Sequence, residues 1–228
     1  MDIVDNQVHI WKIDMTSEAE DFSGARELLS EDEHKRADKY KFQHHQNHFV
    51  RRRYLLRNIL SKYCHCKPDE IKFKYNTFGK PFIDMPGLDS IFFSTSFSAD
   101  LLLVCVASKT PPGIDIEKKQ KLTDIGLVAF DNFSRLELYE FRESTDKETA
   151  FFKIWTRKEA FVKAIGEGLH FPLNSFSLRE GSVVEIDNLA SNLEKTDEWK
   201  VVDLDINEDY VAALAIKTKM FGIRYFYL

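Results

Sequence analysis

Two consecutive prolines, Pro111 and Pro112, interrupt this chain near its middle, and a similar order of elements lies on both sides of them. Proline fixes φ and removes a backbone donor, so regular structure breaks there. Before the break, "VHIWKI" at 8–13 alternates as a strand does. Ser30 opens "SEDE" with Glu33 three residues on, a capping box that starts a helix. Helical sequence then extends through "YKFQHHQNHFVRRRYLLRNILSKYC". "FGKPFI" at 78–83 reads as a turn into a strand, and "SIFFSTSF" and "LLLVCVAS" as two strands joined by "SAD". After the break come "GIDIEKK" at 113–119, then helices at 123–130 and 134–143. "KETAFFKIWTRKEAFVKAIGEGL" is the strongest helical pattern, stopped by Gly166 and Gly168. "FSLREGSVVEI", "WKVVDLDI", "YVAALAI" and "IRYFYL" each read as a strand. Each half places strands after its helices, which predicts an α+β fold of two similar halves, 1–110 and 111–228.

Composition narrows the function classes. Hydrophobic residues make up 43% and charged residues 30% of 228, enough for a globular core. The net charge of -5 gives no bulk attraction to nucleic acid or an anionic membrane, so any anion site is local. No apolar run approaches the ~20 residues of a membrane span. "MDIVDNQVHIWKIDM" lacks the basic and apolar regions of a signal peptide. The 3 cysteines, Cys64, Cys66 and Cys105, form no disulfide framework and fit a reducing cytoplasm. "CHC" at 64–66 has no second ligand pair at zinc-site spacing, and His44 and His48 read as a solvated helix face.

Asp115 and Glu117 are i and i+2 on a strand and share a face, while Ile114 and Ile116 point the other way into a core. Two adjacent carboxylates repel unless water or a cation intervenes. An edge strand with a wet face is one reading; oxygen ligands for a hard ion such as Mg2+ are the other. The helix around residue 158 adds to this. At ~100° per residue, Phe151, Ile154, Trp155, Phe161, Val162 and Ile165 form one apolar stripe, and Lys158 lies inside it. A lysine there must snorkel or meet an anion. Glu159 and Lys163, at i and i+4, are either a surface ion pair or part of a polar site.

"GIDIE" followed some forty residues later by "WTRKEAFVKAIGEGL" resembles the two signature motifs of the 4′-phosphopantetheinyl transferases. "RYLLR", "FGKPFI" and "FPLNSFSL" are similar to further motifs of that family, and the length is that of its monomeric, surfactin-synthetase-activating type. The resemblance implies two α+β halves related by a pseudo-twofold, with coenzyme A in the cleft between them. It implies transfer of phosphopantetheine from coenzyme A to a serine of an apo acyl or peptidyl carrier protein, releasing adenosine 3′,5′-bisphosphate. Carried over by residue, Asp115, Glu117 and Glu159 are the implied Mg2+ ligands. Lys163 is implied to contact the pyrophosphate, and Lys158 to support the acidic cluster or a phosphate. Glu159 or a water on the metal is the implied base.

Phe97 stands where the family has a histidine, in "STSFS", leaving Ser96 and Ser98 as the implied coenzyme A donors of that motif. Arg53 is the implied 3′-phosphate contact, with Lys35, Arg36, Arg51 and Arg57 as the other local cations, and Lys80 is placed near the adenine edge. "KKQK" at 118–121 reads as a docking surface for an acidic carrier protein, or as a solvated charge run. Two other readings follow from the same residues: a catalytically weak paralogue that binds coenzyme A or a carrier without efficient turnover, and an unrelated structural α+β domain.

Overall fold

A computed structural model describes residues 1–16, 22, 24–179, 182–186 and 198–228. The first part of the chain forms β1 (Gln7–Asp14), α1 (Glu31–Ala37), α2 (Gln43–Cys64), β2 (Phe73–Tyr75), β3 (Pro81–Ile83), β4 (Ile91–Ser98) and β5 (Leu101–Ser108). The second part forms β6 (Pro112–Lys118), α3 (Ile125–Asn132), α4 (Arg135–Glu143), α5 (Lys147–Ile165), β7 (Phe176–Arg179), β8 (Ser182–Ile186), β9 (Trp199–Leu204), β10 (Tyr210–Lys217) and β11 (Gly222–Tyr227). The fold is α+β, as the sequence predicts.

The two parts repeat one plan. In the first sheet β1, β5 and β4 lie side by side in that order; in the second, β6, β10 and β9 do. All four of these pairings are antiparallel. A short hairpin follows the long helix in each repeat, β2–β3 after α2 and β7–β8 after α5. "FSLREGSVVEI" is therefore two paired strands rather than one, with residues 180–181 between them outside the described residues. The last strand departs from the expected division at residue 110. β11 crosses back and pairs in parallel with β1, completing the first sheet rather than the second.

α5 packs directly on β6. A Cβ at Gly113 would run into the backbone of Ala160 and Ala164, so only glycine permits this approach. Phe161, Val162, Ala160 and Phe176 are fully or almost fully buried between helix and strands, so the apolar stripe lies where the periodicity puts it.

The repeat extends to a buried charge lock. In the first repeat, Ser30 and Glu33 form the capping box of α1, and Arg57 of α2 donates to Glu33 (Nε to Oε2, 2.8 Å). Arg57 Nη1 also donates to the carbonyls of Pro68 (2.8 Å) and Ile71 (3.0 Å) beyond α2. In the second, Ser134 and Glu137 form the capping box of α4, and Lys158 of α5 meets Glu137 Oε2 at 2.7 Å. Lys158 donates onward to the carbonyls of Leu173 (2.5 Å) and Phe176 (2.7 Å) beyond α5. Burial pulls the Lys158 pKa down and the Glu137 charge pulls it back up.

This corrects one expectation. The helical period requires an anion for Lys158 unless it snorkels, and the resemblance implies the cluster of Asp115, Glu117 and Glu159 or a phosphate. The partner is Glu137, because the arc that buries Lys158 faces α4 and the chain after α5. Lys158→Met leaves Glu137 buried without its cation, so unfolding free energy should fall by about 3–5 kcal/mol. Urea denaturation checks this; an unchanged or increased stability would mean that the α4 cap alone satisfies Glu137.

Candidate active site between β4 and β6

β4 is one edge of the first sheet and β6 one edge of the second, and the two edges meet. They are joined by serine hydroxyls. Ser94, Ser96 and Ser98 recur at i, i+2 and i+4 on β4, and so share a face opposite β6. Ser94 Oγ accepts from the backbone N–H of Ile114 at 3.2 Å. Ser96 Oγ donates to Asp115 Oδ1 at 2.7 Å. Ser98 Oγ donates to Glu117 Oε2 at 2.8 Å and accepts from the N–H of Lys118 at 3.0 Å. On β6 itself Ile114 and Ile116 are fully buried, as the alternation predicts.

α5 closes the site from above. Lys163 Nζ stands 2.6 Å from Asp115 Oδ1 and 3.0 Å from Ser96 Oγ. Asp115 is 3% exposed, and its other oxygen, Oδ2, is buried without a hydrogen-bond partner. Burial raises the Glu117 pKa; Asp115 adds to the rise, against Ser98 and Lys163. Burial likewise raises that of Glu159, with Asp115 and Glu117 adding and Lys163 opposing. The three carboxylates thus sense one another's charge around one ammonium.

Asp115, Glu117, Glu159, Lys163, Ser96 and Ser98 are therefore gathered at one place. Among the described residues no three His, Cys, Asp or Glu side chains stand close enough to enclose a metal ion as placed. Lys163 meets Asp115 instead. The donor set still fits a hard cation: it is all oxygen, and Asp115 Oδ2 has a buried lone pair with no proton donor. Ser96 and Ser98, expected as ligand donors, are engaged by these carboxylates.

The remaining expected residues lie to either side. Lys80 reaches the C-terminal end of α5, where Nζ donates to the carbonyl of Ala164 at 3.0 Å, and Asn76 beside it donates to that of Gly166 at 2.7 Å. Burial brings the Lys80 pKa down to about 8. With Phe78, Thr95 and Lys163 it lines a cavity of about 220 Å³. Arg53 is held by Glu33, with Nε donating to Oε1 at 2.5 Å. It also lines a second cavity of about 360 Å³ bounded by Arg52, Phe97, Ser96 and Lys163. Lys158 lies in the α4–α5 lock, away from this cluster. Sequence reasoning missed Ser94 and Arg52. The serine alternation in "STSFS" was the available signal for the first, and nothing in "VRRRY" separates Arg52 from its neighbours.

Comparison with known proteins gives a consistent result. The family model of the 4′-phosphopantetheinyl transferase superfamily matches residues 111–215, and that of the 4′-phosphopantetheinyl transferase N-terminal region matches 14–110. The chain is 30% identical over 217 residues to the 4′-phosphopantetheinyl transferase HetI of a Nostoc species, covering 94% of this chain and 89% of that one. It is 31% identical over 176 residues to a 4′-phosphopantetheinyl transferase of Bacillus subtilis, covering 72% and 76%. It is also 32% identical over 127 residues to Sfp of Bacillus subtilis, covering 55% and 54%.

The raised pKa values of Glu117 and Glu159 give the metal-free protein a definite pH dependence. A carboxyl whose folded pKa exceeds its unfolded one favours the folded state at low pH, and that advantage is lost as pH rises through the folded value. Glu159→Gln should therefore melt at a higher temperature than the parent at pH 8 in chelator. The gap should close as pH falls towards the ordinary carboxyl range. Melting curves between pH 5 and pH 8 test this, and a gap independent of pH would contradict it.

Proposed function

The chain belongs to the 4′-phosphopantetheinyl transferase superfamily, and from that premise we propose that it moves 4′-phosphopantetheine from coenzyme A to a serine hydroxyl of an apo acyl or peptidyl carrier protein, with Mg2+. The supporting observation is the knot of Asp115, Ser96 and Lys163 with Glu117 and Glu159 around it. A divalent cation on Asp115, Glu117 and Glu159 would supply positive charge against the pyrophosphate. Lys163, 30% exposed, is positioned to turn from Asp115 to the departing phosphate. The carrier serine forms the new P–O bond as the bond to adenosine 3′,5′-bisphosphate breaks. Glu159 would accept its proton.

In this reading residues 1–110 contact the coenzyme A phosphates, while 111–228 bear the metal ligands and the carrier-docking surface. Lys118 and Lys121 of "KKQK" are exposed beside β6 and suit an acidic carrier. No described helix is long and apolar enough to cross a membrane. We place the enzyme in the cytoplasm, as a monomer, with neither nucleic acid nor membrane as partner.

The test is mass spectrometry of several apo carrier proteins after incubation with coenzyme A, Mg2+ and the protein. The expected result is a gain of one phosphopantetheine on at least one carrier. Asp115→Asn should abolish that gain while keeping a cooperative melting transition. Coenzyme A binding without transfer to any carrier would favour the weak-paralogue reading, and an active Asp115→Asn enzyme would remove the proposed metal role.

A further inference from the structure

Lys163 lies in the last turn of α5, and donors from the other repeat hold that turn. A helix leaves its last carbonyls without partners of its own, and its end frays unless something supplies donors. The chain beyond α5 supplies one, as the N–H of Gly166 donates to the carbonyl of Val162 at 2.8 Å. The next two come from the turn between β2 and β3. Lys80 Nζ donates to the carbonyl of Ala164 at 3.0 Å, and Asn76 Nδ2 to that of Gly166 at 2.7 Å. Lys80 Nζ also lies 3.5 Å from the carbonyl of Pro112, at the start of β6. Among the described residues Lys80 makes no ion pair; its charge faces the negative end of the α5 dipole instead.

Asn76 builds this clasp. Its Oδ1 accepts from the N–H of Phe78 at 3.0 Å and from that of Lys80 at 2.8 Å, which closes the turn that presents Lys80. Backbone N–H groups only donate, so both take the amide oxygen and the amide nitrogen is left facing Gly166. One half-buried side chain thus shapes the turn with its oxygen and grips α5 with its nitrogen. The fit is close. Gly166 has a φ of +89°, and a Cβ there would come within 3.1 Å of Lys80 Cδ and 3.2 Å of Asn76 Nδ2. The two partners are 90 residues apart, so the contact forms only when the repeats dock.

The last turn of α5 sets where the Lys163 ammonium stands, 2.6 Å from Asp115 Oδ1 and 3.0 Å from Ser96 Oγ. A displacement of ~1 Å at a reacting centre can cost about 10²-fold in rate. We infer that Asn76 is a positioning residue for the transfer: by pinning the carbonyl of Gly166 it holds Lys163 in register with the departing phosphate, and it touches neither substrate itself. This rests on the reading that Lys163 meets that phosphate.

The experiment is steady-state transfer to an apo carrier protein that the parent modifies, with Mg2+ and varied coenzyme A, using full-length parent, Asn76→Asp and Asn76→Ser. Aspartate keeps both acceptors of the turn and loses the donor to Gly166; serine keeps an acceptor and adds no charge. Both variants should lower kcat at least ~10-fold and leave KM for coenzyme A within about threefold of the parent. Their melting temperatures should fall by about 2–4 °C at most, the effect of one lost hydrogen bond. A lower melting temperature with kcat retained makes the clasp structural only and overturns the inference. A raised KM at unchanged kcat assigns Asn76 to ligand binding through the turn and also overturns it. So does a loss confined to Asn76→Asp, which is the effect of the added charge. Each of these leaves the function reading standing, because the parent transfers. A parent that modifies no carrier overturns the function reading and this inference with it.

Discussion

The hydrogen bonds that Ser96, Asp115 and Lys163 share are where the two sheets and α5 come together. Each partner comes from a different element: β4, β6 and α5. The edges of β4 and β6 do not continue one backbone ladder; side-chain hydroxyls bridge them. Those hydroxyls satisfy carboxylates and edge N–H groups that burial would otherwise leave without partners. The site thus exists only where both repeats are folded and docked. A change at Ser96 or Ser98 reaches Asp115 or Glu117 through a single hydroxyl oxygen.

Around this seam the duplicated locks do the architectural work, and they are not identical. The second repeat uses one lysine against one glutamate, a neutral pair closed by two backbone carbonyls. The first uses two arginines against one glutamate. The surplus charge faces the cavity beside the site. The same mechanical part has therefore acquired an electrostatic bias in one copy and none in the other. The difference between the copies, more than their likeness, separates a cation-rich repeat from a carboxylate-bearing one.

Much of this was legible in the sequence because it depends on spacing along one element. The alternation Ile114, Asp115, Ile116, Glu117 places two carboxylates on one face whatever the rest of the chain does. The helical period correctly buries Lys158 among Phe161 and Val162. It cannot name the partner, because Glu137 belongs to another helix and arrives by tertiary packing. The same limit applies to Ser96 and Ser98. Their spacing is visible, but the register of two sheet edges is not a property of either strand. Arg53 and Arg52 are adjacent, and only the fold assigns one to Glu33 and the other to an aromatic face. "FSLREGSVVEI" reads as one strand because both of its ends are equally β-like.

The parallel pairing of β11 with β1 has a temporal meaning. Residues 7–14 leave the ribosome well before residues 222–227, yet their outer edge gains its partner only when the later strand has been made. Until then β1 presents unpaired N–H and C=O groups, an edge that can recruit foreign strands. β5 can protect the other side much earlier, since it lies within the first 108 residues. Until residues 222–227 exist, the first sheet can pair at most three of its four strands. The long sequence separation of this pairing carries a loop-closure cost that local pairings escape, and it ties the two ends of the described chain together.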